Sequence, residues 1–166
     1  MEGQRGLVSL VSVDDDVLDQ LIRAATTSAS PNEVTPPLTP GAQWTPIRVE
    51  WLKAYHRDRR RGLDGPCREA TWAVVVDDWV VGSVRMKLTE QDGVVETGLW
   101  LTSDVGGKGL GTASLAAALD KARELGSTHV CAETLVDNIG ALSALRRLGF
   151  TLEHGEGQSV RAITSL

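Results

Sequence analysis

The chain has 166 residues, 42% of them apolar and 23% charged, with a net charge of −5; this suits one soluble domain with a single core. No apolar run approaches the ~20 residues of a membrane span, and the opening LVSLVSV is too short and interrupted for a signal-peptide core, so a cytoplasmic location is expected. The negative excess lies wholly before residue 106: residues 1–105 hold 11 Lys/Arg against 16 Asp/Glu, and the remainder 6 against 6, which argues against nucleic acid or membrane as a partner and for a cationic one.

Leu7 to Val13 alternates apolar residues with serine and reads as a half-exposed strand. Asp14–Thr26 follows with Val17, Leu18, Leu21 and Ile22 on one helical face and acids in its first turn. Ser28–Gly41 carries four of the six prolines and reads as a long loop or linker, a candidate lid over an acceptor site. Thr45-Pro46 opens a second helix that runs into the basic cluster HRDRRR. The basic cluster offers either an anion contact or a solvated helix end.

From Ala70 the pattern becomes strands: ATWAVVV, WVVGSVRMKL and VVETGLWL, separated by Asp77-Asp78 and Gln91-Asp92-Gly93. These breaks suit hairpins, so an antiparallel meander is expected. A helix is predicted after Gly111, with Leu115, Ala118, Leu119, Ala122 and Leu125 on its apolar face and Gly126 ending it. HVCAETL is a strand, and Ile139–Leu148 a helix with Ala141, Leu142, Leu145 and Leu148 inward. Weaker strands follow near Thr151–His154 and Ser159–Ile163. Cys67 and Cys131 lie 64 positions apart without metal-ligand spacing, so two buried thiols are expected, with neither disulfide nor metal.

Between a strand and a helix stands GGKGLG, Gly106–Gly111. Such a loop presents free backbone N–H groups and a helix N-terminus to an anion. A Walker loop needs Gly six residues before the Lys; Thr102 stands there, and Gly109 follows Lys108. A dinucleotide loop needs G-x-G-x-x-G, whereas Gly107, Gly109 and Gly111 run G-x-G-x-G. Glu133 lies where a ribose-binding acid would belong, but the preceding hairpins do not suit the repeated parallel unit of a dinucleotide fold.

A third reading fits the motifs together. Val94–Gly126, with Asn138, Ala141, Gly149 and Phe150 downstream, resembles the acetyl-CoA site of the GNAT superfamily of N-acetyltransferases; the resemblance covers most of residues 70–155. It implies a single α/β (α+β) GNAT domain over residues 1–166, with an acceptor side in 1–69 and a cofactor core in 70–166. Its sheet would be mixed, mostly antiparallel, with a splayed fourth and fifth strand and flanking helices. Acetyl-CoA would be the cosubstrate, with no metal. Its pyrophosphate would rest on Gly106, Gly107, Lys108, Gly109, Leu110, Gly111 and Thr112, at the positive end of the following helix. Its pantetheine arm would lie along the backbone of Leu99, Trp100 and Leu101. Asn138 would reach that arm or cap its own helix. Two positions depart from the family pattern: Gly106 replaces Arg/Gln, and Leu145 stands where a Tyr commonly protonates the leaving thiolate. Ser143 is a substitute donor.

The resemblance implies transfer to a primary amine, which must lose a proton before attack, so a carboxylate base is needed. Glu96 stands at a base position of several family members, and Glu133 at one used by ribosomal-protein acetyltransferases of the superfamily. The acidic first two-thirds of the chain favours a small cationic acceptor such as an aminoglycoside, held by Glu33 and Glu96, with Trp44 and Trp72, like Trp51, available to pack on sugar rings. The alternatives are a protein N-terminal acetyltransferase and a domain that binds acyl-CoA without turnover. A homodimer is an assembly common in the family.

Overall fold

The computed structural model describes residues 7–105 and 109–166, so the predicted loop residues Gly106, Gly107 and Lys108 lie outside the described residues. Seven strands form one sheet in the order β1-β2-β3-β4-β5-β7-β6. They are β1 (Val8–Ser12), β2 (Glu69–Val76), β3 (Trp79–Leu88), β4 (Val94–Leu101), β5 (His129–Leu135), β6 (Thr151–His154) and β7 (Ser159–Ser165). The expected meander forms β2 to β4, with β1 antiparallel on its outer edge. Asp77 and Asp78 turn the β2–β3 hairpin with φ of 50° and 67°. Positive φ at both central residues is the twist a two-residue hairpin needs.

One pair is parallel. β4 and β5 register only from Val94–His129 to Glu96–Cys131 and then diverge, while β4 stays paired to β3 as far as Leu101–Gly82. From Thr97 to Leu101, β4 therefore has a backbone edge without a strand partner on its β5 side, as the resemblance implied.

Helices α1 (Asp15–Ser28), α2 (Pro31–Val34) and α3 (Pro46–Asp58) lie on one face of the sheet; α4 (Leu110–Glu124) and α5 (Ile139–Arg147) lie on the other. Asp14 caps α1 through Val17 N, Leu18 and Leu21 bury against Val13 and Ala73, and Ala25 is buried as well. On the opposite face Leu115, Leu119 and Ala122 of α4 pack with Met86, Val95, Val130, Leu145 and Phe150. Leu125, placed inward by the periodicity, is 48% exposed because the helix ends at Glu124.

The inward stripe of α3 is Arg48, Leu52 and His56, all at most 1% exposed. Arg48 has no carboxylate partner among the described residues. It donates from Nε to Thr39 Oγ1 (3.0 Å), from Nη1 to Asn32 Oδ1 (2.9 Å), and from Nη2 to the carbonyls of Thr39 (2.8 Å) and Gly41 (3.1 Å). These bonds pin the proline-rich segment, which holds α2 as well, so it is built scaffold rather than linker. Two arginines of the basic cluster are spent within the fold: Arg59 pairs with Glu69 and Arg60 with Asp15, tying the end of α3 to β2 and α1, while Arg57 and Arg61 are exposed. Both cysteines are free and half-buried, against the expectation of buried thiols. Burial pushes the Cys131 thiol up, and the neighbouring Glu96 carboxylate adds to it.

Candidate active site

The divergence of β4 and β5 opens a cleft of about 440 Å³. Its walls are Thr97 to Leu101 on β4, Ala132 to Thr134 on β5, Gly111 and Leu115 on α4, and Asn138, Ala141, Ala144 and Leu145 from α5 and its cap. Leu99, Trp100, Leu101, Gly111 and Asn138 thus come together as the resemblance implied. Asn138 also caps α5, its Oδ1 accepting from Ala141 N at 3.1 Å; capping and lining coexist.

The mouth of the cleft is the start of α4. Gly109 is its N-cap, at φ 74°, and no side chain caps the helix. A left-handed N-cap is cheap only for glycine. The first amides of the helix, at Leu110, Gly111 and Thr112, have no acceptor within it. A Cβ built at Gly111 meets nothing within 4 Å. An uncapped helix end beside a bare glycine and an unpaired strand edge suits a long ligand with an anionic end and an amide-bearing arm. The residues present fit coenzyme A.

A second cavity, about 250 Å³, lies on the α1–α3 face. It is lined by Glu33 of α2, Trp51, Tyr55 and His56 of α3, Glu69 of β2, Ser83 and Arg85 of β3, and Gly98 to Trp100 of β4. Glu33, Gly98, Leu99 and Trp100 line both cavities, so the two meet across β4. Arg85 lies over Gly98: a Cβ there would stand 2.9 Å from its Nε. The Tyr55 ring stacks on Trp51 at 5.0 Å and carries the Arg59 guanidinium 3.8 Å above its centroid. Its hydroxyl donates to Glu69 Oε1 at 2.5 Å. Arg59 Nε is 3.1 Å from Glu69 Oε2 but is not aligned for a hydrogen bond, so that contact is an ion pair. Burial, followed by the Glu69 hydrogen bond and charge, pushes the Tyr55 hydroxyl far up and keeps it protonated. His56 Nδ1 shares a hydrogen with Thr71 Oγ1 at 2.8 Å. Burial, aided by the Arg59 and Arg60 charges, lowers His56 to about 4.

The other sequence-predicted residues lie elsewhere. The Glu96 carboxylate accepts from Arg85 Nη2 at 2.9 Å. It lines neither cavity but a shallow groove on the face of β5–β7 that helices leave open, together with Cys131, Glu133, Glu153, Glu156 and Arg161. Glu133 bridges that groove and the β4–β5 cleft and accepts from Ser159 Oγ. Ser143 is absent from the cleft lining, because on α5 it is Ala141, Ala144 and Leu145 that face inward. Trp44 spends its indole N–H on the Ala29 carbonyl at 3.0 Å, holding the loop to the end of α1. Trp72 packs on the α4 face, with Lys121 Nζ 5.9 Å from its ring. The cavity indoles are Trp51 and Trp100 instead. Sequence reasoning passed over Tyr55 and the structural part played by Glu69. The available signal was the i, i+4 pair Trp51 and Tyr55 on a helix of weak amphipathicity, one that must face something other than an ordinary core.

A model of the acetyltransferase (GNAT) domain matches residues 7–151. The chain belongs to the GNAT acetyltransferase family. Solved structures share the fold at low identity. RimJ of Mycobacterium smegmatis in complex with CoA-disulfide is 18% identical, with a TM-score of 0.72 over 97% of this chain and 83% of that one. RimL, a ribosomal-protein α-N-acetyltransferase in complex with coenzyme A, is 16% identical, with a TM-score of 0.71 over 96% and 94%. PseH of Campylobacter jejuni, an N-acetyltransferase in complex with acetyl coenzyme A, is 14% identical, with a TM-score of 0.67 over 96% and 99%. No curated protein matches the sequence. No helix among the described residues is long and apolar enough to cross a membrane.

Proposed function

We propose that this GNAT protein moves the acetyl group of acetyl-CoA by direct transfer to a primary amine that enters the cavity between α2, α3 and β4. The observation that carries the reading is the meeting of the two cavities at Gly98, Leu99 and Trp100. A thioester in the β4–β5 cleft and an amine in the smaller cavity approach one another only there. The N-terminal amides of α4 hold the pyrophosphate, and the free β4 edge takes the pantetheine amides. Structures of RimL and PseH with coenzyme A or acetyl coenzyme A support the same cofactor here.

The acceptor is a cationic small molecule, with an aminoglycoside as the leading class. Glu33 stands at the junction, where an ammonium group would pass. Trp51, Tyr55 and Trp100 wall a space that takes one sugar ring, with the other rings outside. A protein N-terminus is the second reading. It is favoured by the groove of Glu96, Glu133, Glu153 and Glu156, which joins the cleft at Glu133 and is open enough for an extended chain. Thiol release from acetyl-CoA, measured with kanamycin, spermidine and a free-N-terminus alanyl tetrapeptide, separates these. Turnover with kanamycin supports the first reading and turnover with the tetrapeptide alone the second; no turnover with any of the three overturns the transferase reading.

A further inference from the structure

The transfer reading leaves a proton without an owner. An acceptor ammonium must surrender one before its lone pair can attack, and α5 turns only alanine and leucine side chains into the cofactor cleft. Glu96 is held by Arg85 and faces the outer groove, and Glu133, which reaches both that groove and the cofactor cleft, is engaged by Ser159 and lines no part of the acceptor cavity. The second cavity, however, contains a hydroxyl and a carboxylate already joined. Resting on the acetyltransferase reading, we infer that Tyr55 is a catalytic residue that accepts the acceptor's proton and relays it to Glu69.

The geometry is that of a relay held ready. Trp51 on one side, Arg59 over the ring and the Glu69 bond at the tip leave Tyr55 little freedom, and a fixed hydroxyl is what proton transfer requires. Glu69 is 6% exposed, so a proton from solvent reaches it less directly than through Tyr55. The groups facing the pair are Arg59 and His56 from α3, Arg85 from β3 and Glu33 from α2. Burial, with the Arg59 and Arg60 charges, lowers His56 to about 4, so its ring is neutral from pH 6 upward.

The step balances as follows. One ammonium N–H proton passes to Tyr55 Oη while the Tyr55 proton passes to Glu69 Oε1, so Tyr55 ends neutral. The amine lone pair forms the C–N bond to the acetyl carbonyl carbon, and the C–S bond breaks with its electron pair on sulfur. A second proton leaves the nitrogen for the thiolate, and once the amide has left the proton on Glu69 returns to water back through Tyr55. The raised affinity of Tyr55 for its proton suits a group that never rests as an anion.

The experiment is thiol release from acetyl-CoA by Tyr55→Phe and Glu69→Gln between pH 6 and 9.5, using whichever of kanamycin, spermidine and the alanyl tetrapeptide turns over fastest. Phe keeps the stack on Trp51. Both variants should lose about 100-fold in kcat at pH 7, leave KM for acetyl-CoA unchanged, and recover toward pH 9.5 as the free amine replaces the ammonium. If Glu69→Gln misfolds, Tyr55→Phe decides alone. A wild-type pH profile in Tyr55→Phe, or an equal loss at every pH, would overturn the inference while leaving the transferase reading intact. Failure of the unmodified protein to release thiol with all three amines overturns both.

Discussion

The two sides of β4 are built by different means. On the cofactor side the groups on offer are backbone: an unpaired strand edge, the amides of α4 and a glycine with open space beside it. On the acceptor side they are side chains from α2, α3, β2 and β3 that hold one another, with Tyr55 on Glu69, Glu69 on Arg59 and Arg85 on Glu96. A site of backbone groups needs only the right fold and the absence of side chains. A site of side chains needs each supporting contact, and it fails when one is removed.

The largest expected effect breaks the acceptor side alone. Arg48→Met removes a buried guanidinium that satisfies Asn32, Thr39 and Gly41. The acceptors lie on exposed Asn32 and Gly41 and half-buried Thr39, so water replaces part of what is lost; at about 1 kcal/mol net for each of the bonds removed, urea unfolding should show a loss of about 3 kcal/mol. In the protein that remains folded, KM for the amine should rise with the displacement of α2 and Glu33. Calorimetry should find coenzyme A affinity within about twofold of wild type, since Arg48, Asn32, Thr39 and Gly41 do not line its cleft and Glu33 touches it only where the two cavities meet; an equal loss on both sides would erase the distinction.

The second effect is a pH dependence confined to the same side. The folded protein holds His56 neutral down to about 4, whereas an unfolded imidazole takes a proton below its ordinary 6.5. The unfolded state therefore binds more protons between those values. The contribution of His56 is flat above pH 6.5, and stability falls as the pH drops to about 4, by about 3 kcal/mol in all. Urea midpoints from pH 7.5 to 4 should follow that curve. His56→Asn, which keeps a polar partner for Thr71, should remove this share of the slope while leaving the carboxylate share.

These two residues also explain what was legible in the sequence. Strand and helix periodicity locates β3, β4 and β5 at their observed ends, and the glycine spacing with Asn138 points to the cleft, because secondary structure and missing side chains are local properties. In the sequence His56 belongs to a basic cluster that offers an anion contact or a solvated helix end, and Arg48 carries no signal of its own; nothing local says that their partners are Asn32, Thr39 and Thr71. Glu96 and Glu133 stand at base positions through the family resemblance, and nothing local says that Gly98 leaves room for Arg85 to lie across the strand and pair with Glu96. Trp44 and Trp72 could not be told from Trp51 and Trp100 either. Trp44, Trp51 and Trp72 each follow a polar residue and Trp100 sits between leucines, and only the cavity that α3 and β4 share sets Trp51 and Trp100 apart.

The smallest effect tests the cofactor side by adding rather than removing. Gly111 is helical, so Val there meets no backbone strain, and its side chain enters open space at the wall of the cleft. Exchanging a helical Gly for Val is mildly favourable, a few tenths of a kcal/mol on the propensity scale, so the urea midpoint should hold or rise slightly. Acetyl-CoA should nonetheless bind at least tenfold more weakly, a loss of about 1.4 kcal/mol, because the new methyls stand between the pyrophosphate and the amides of α4. The amine KM at saturating acetyl-CoA should not move. A stable protein that loses its cofactor through gaining one isopropyl group would mark this side as read by backbone. Unchanged cofactor affinity would mean that the ligand approaches α4 without passing Gly111, and that the loop before it, rather than the helix end, makes the closer contact.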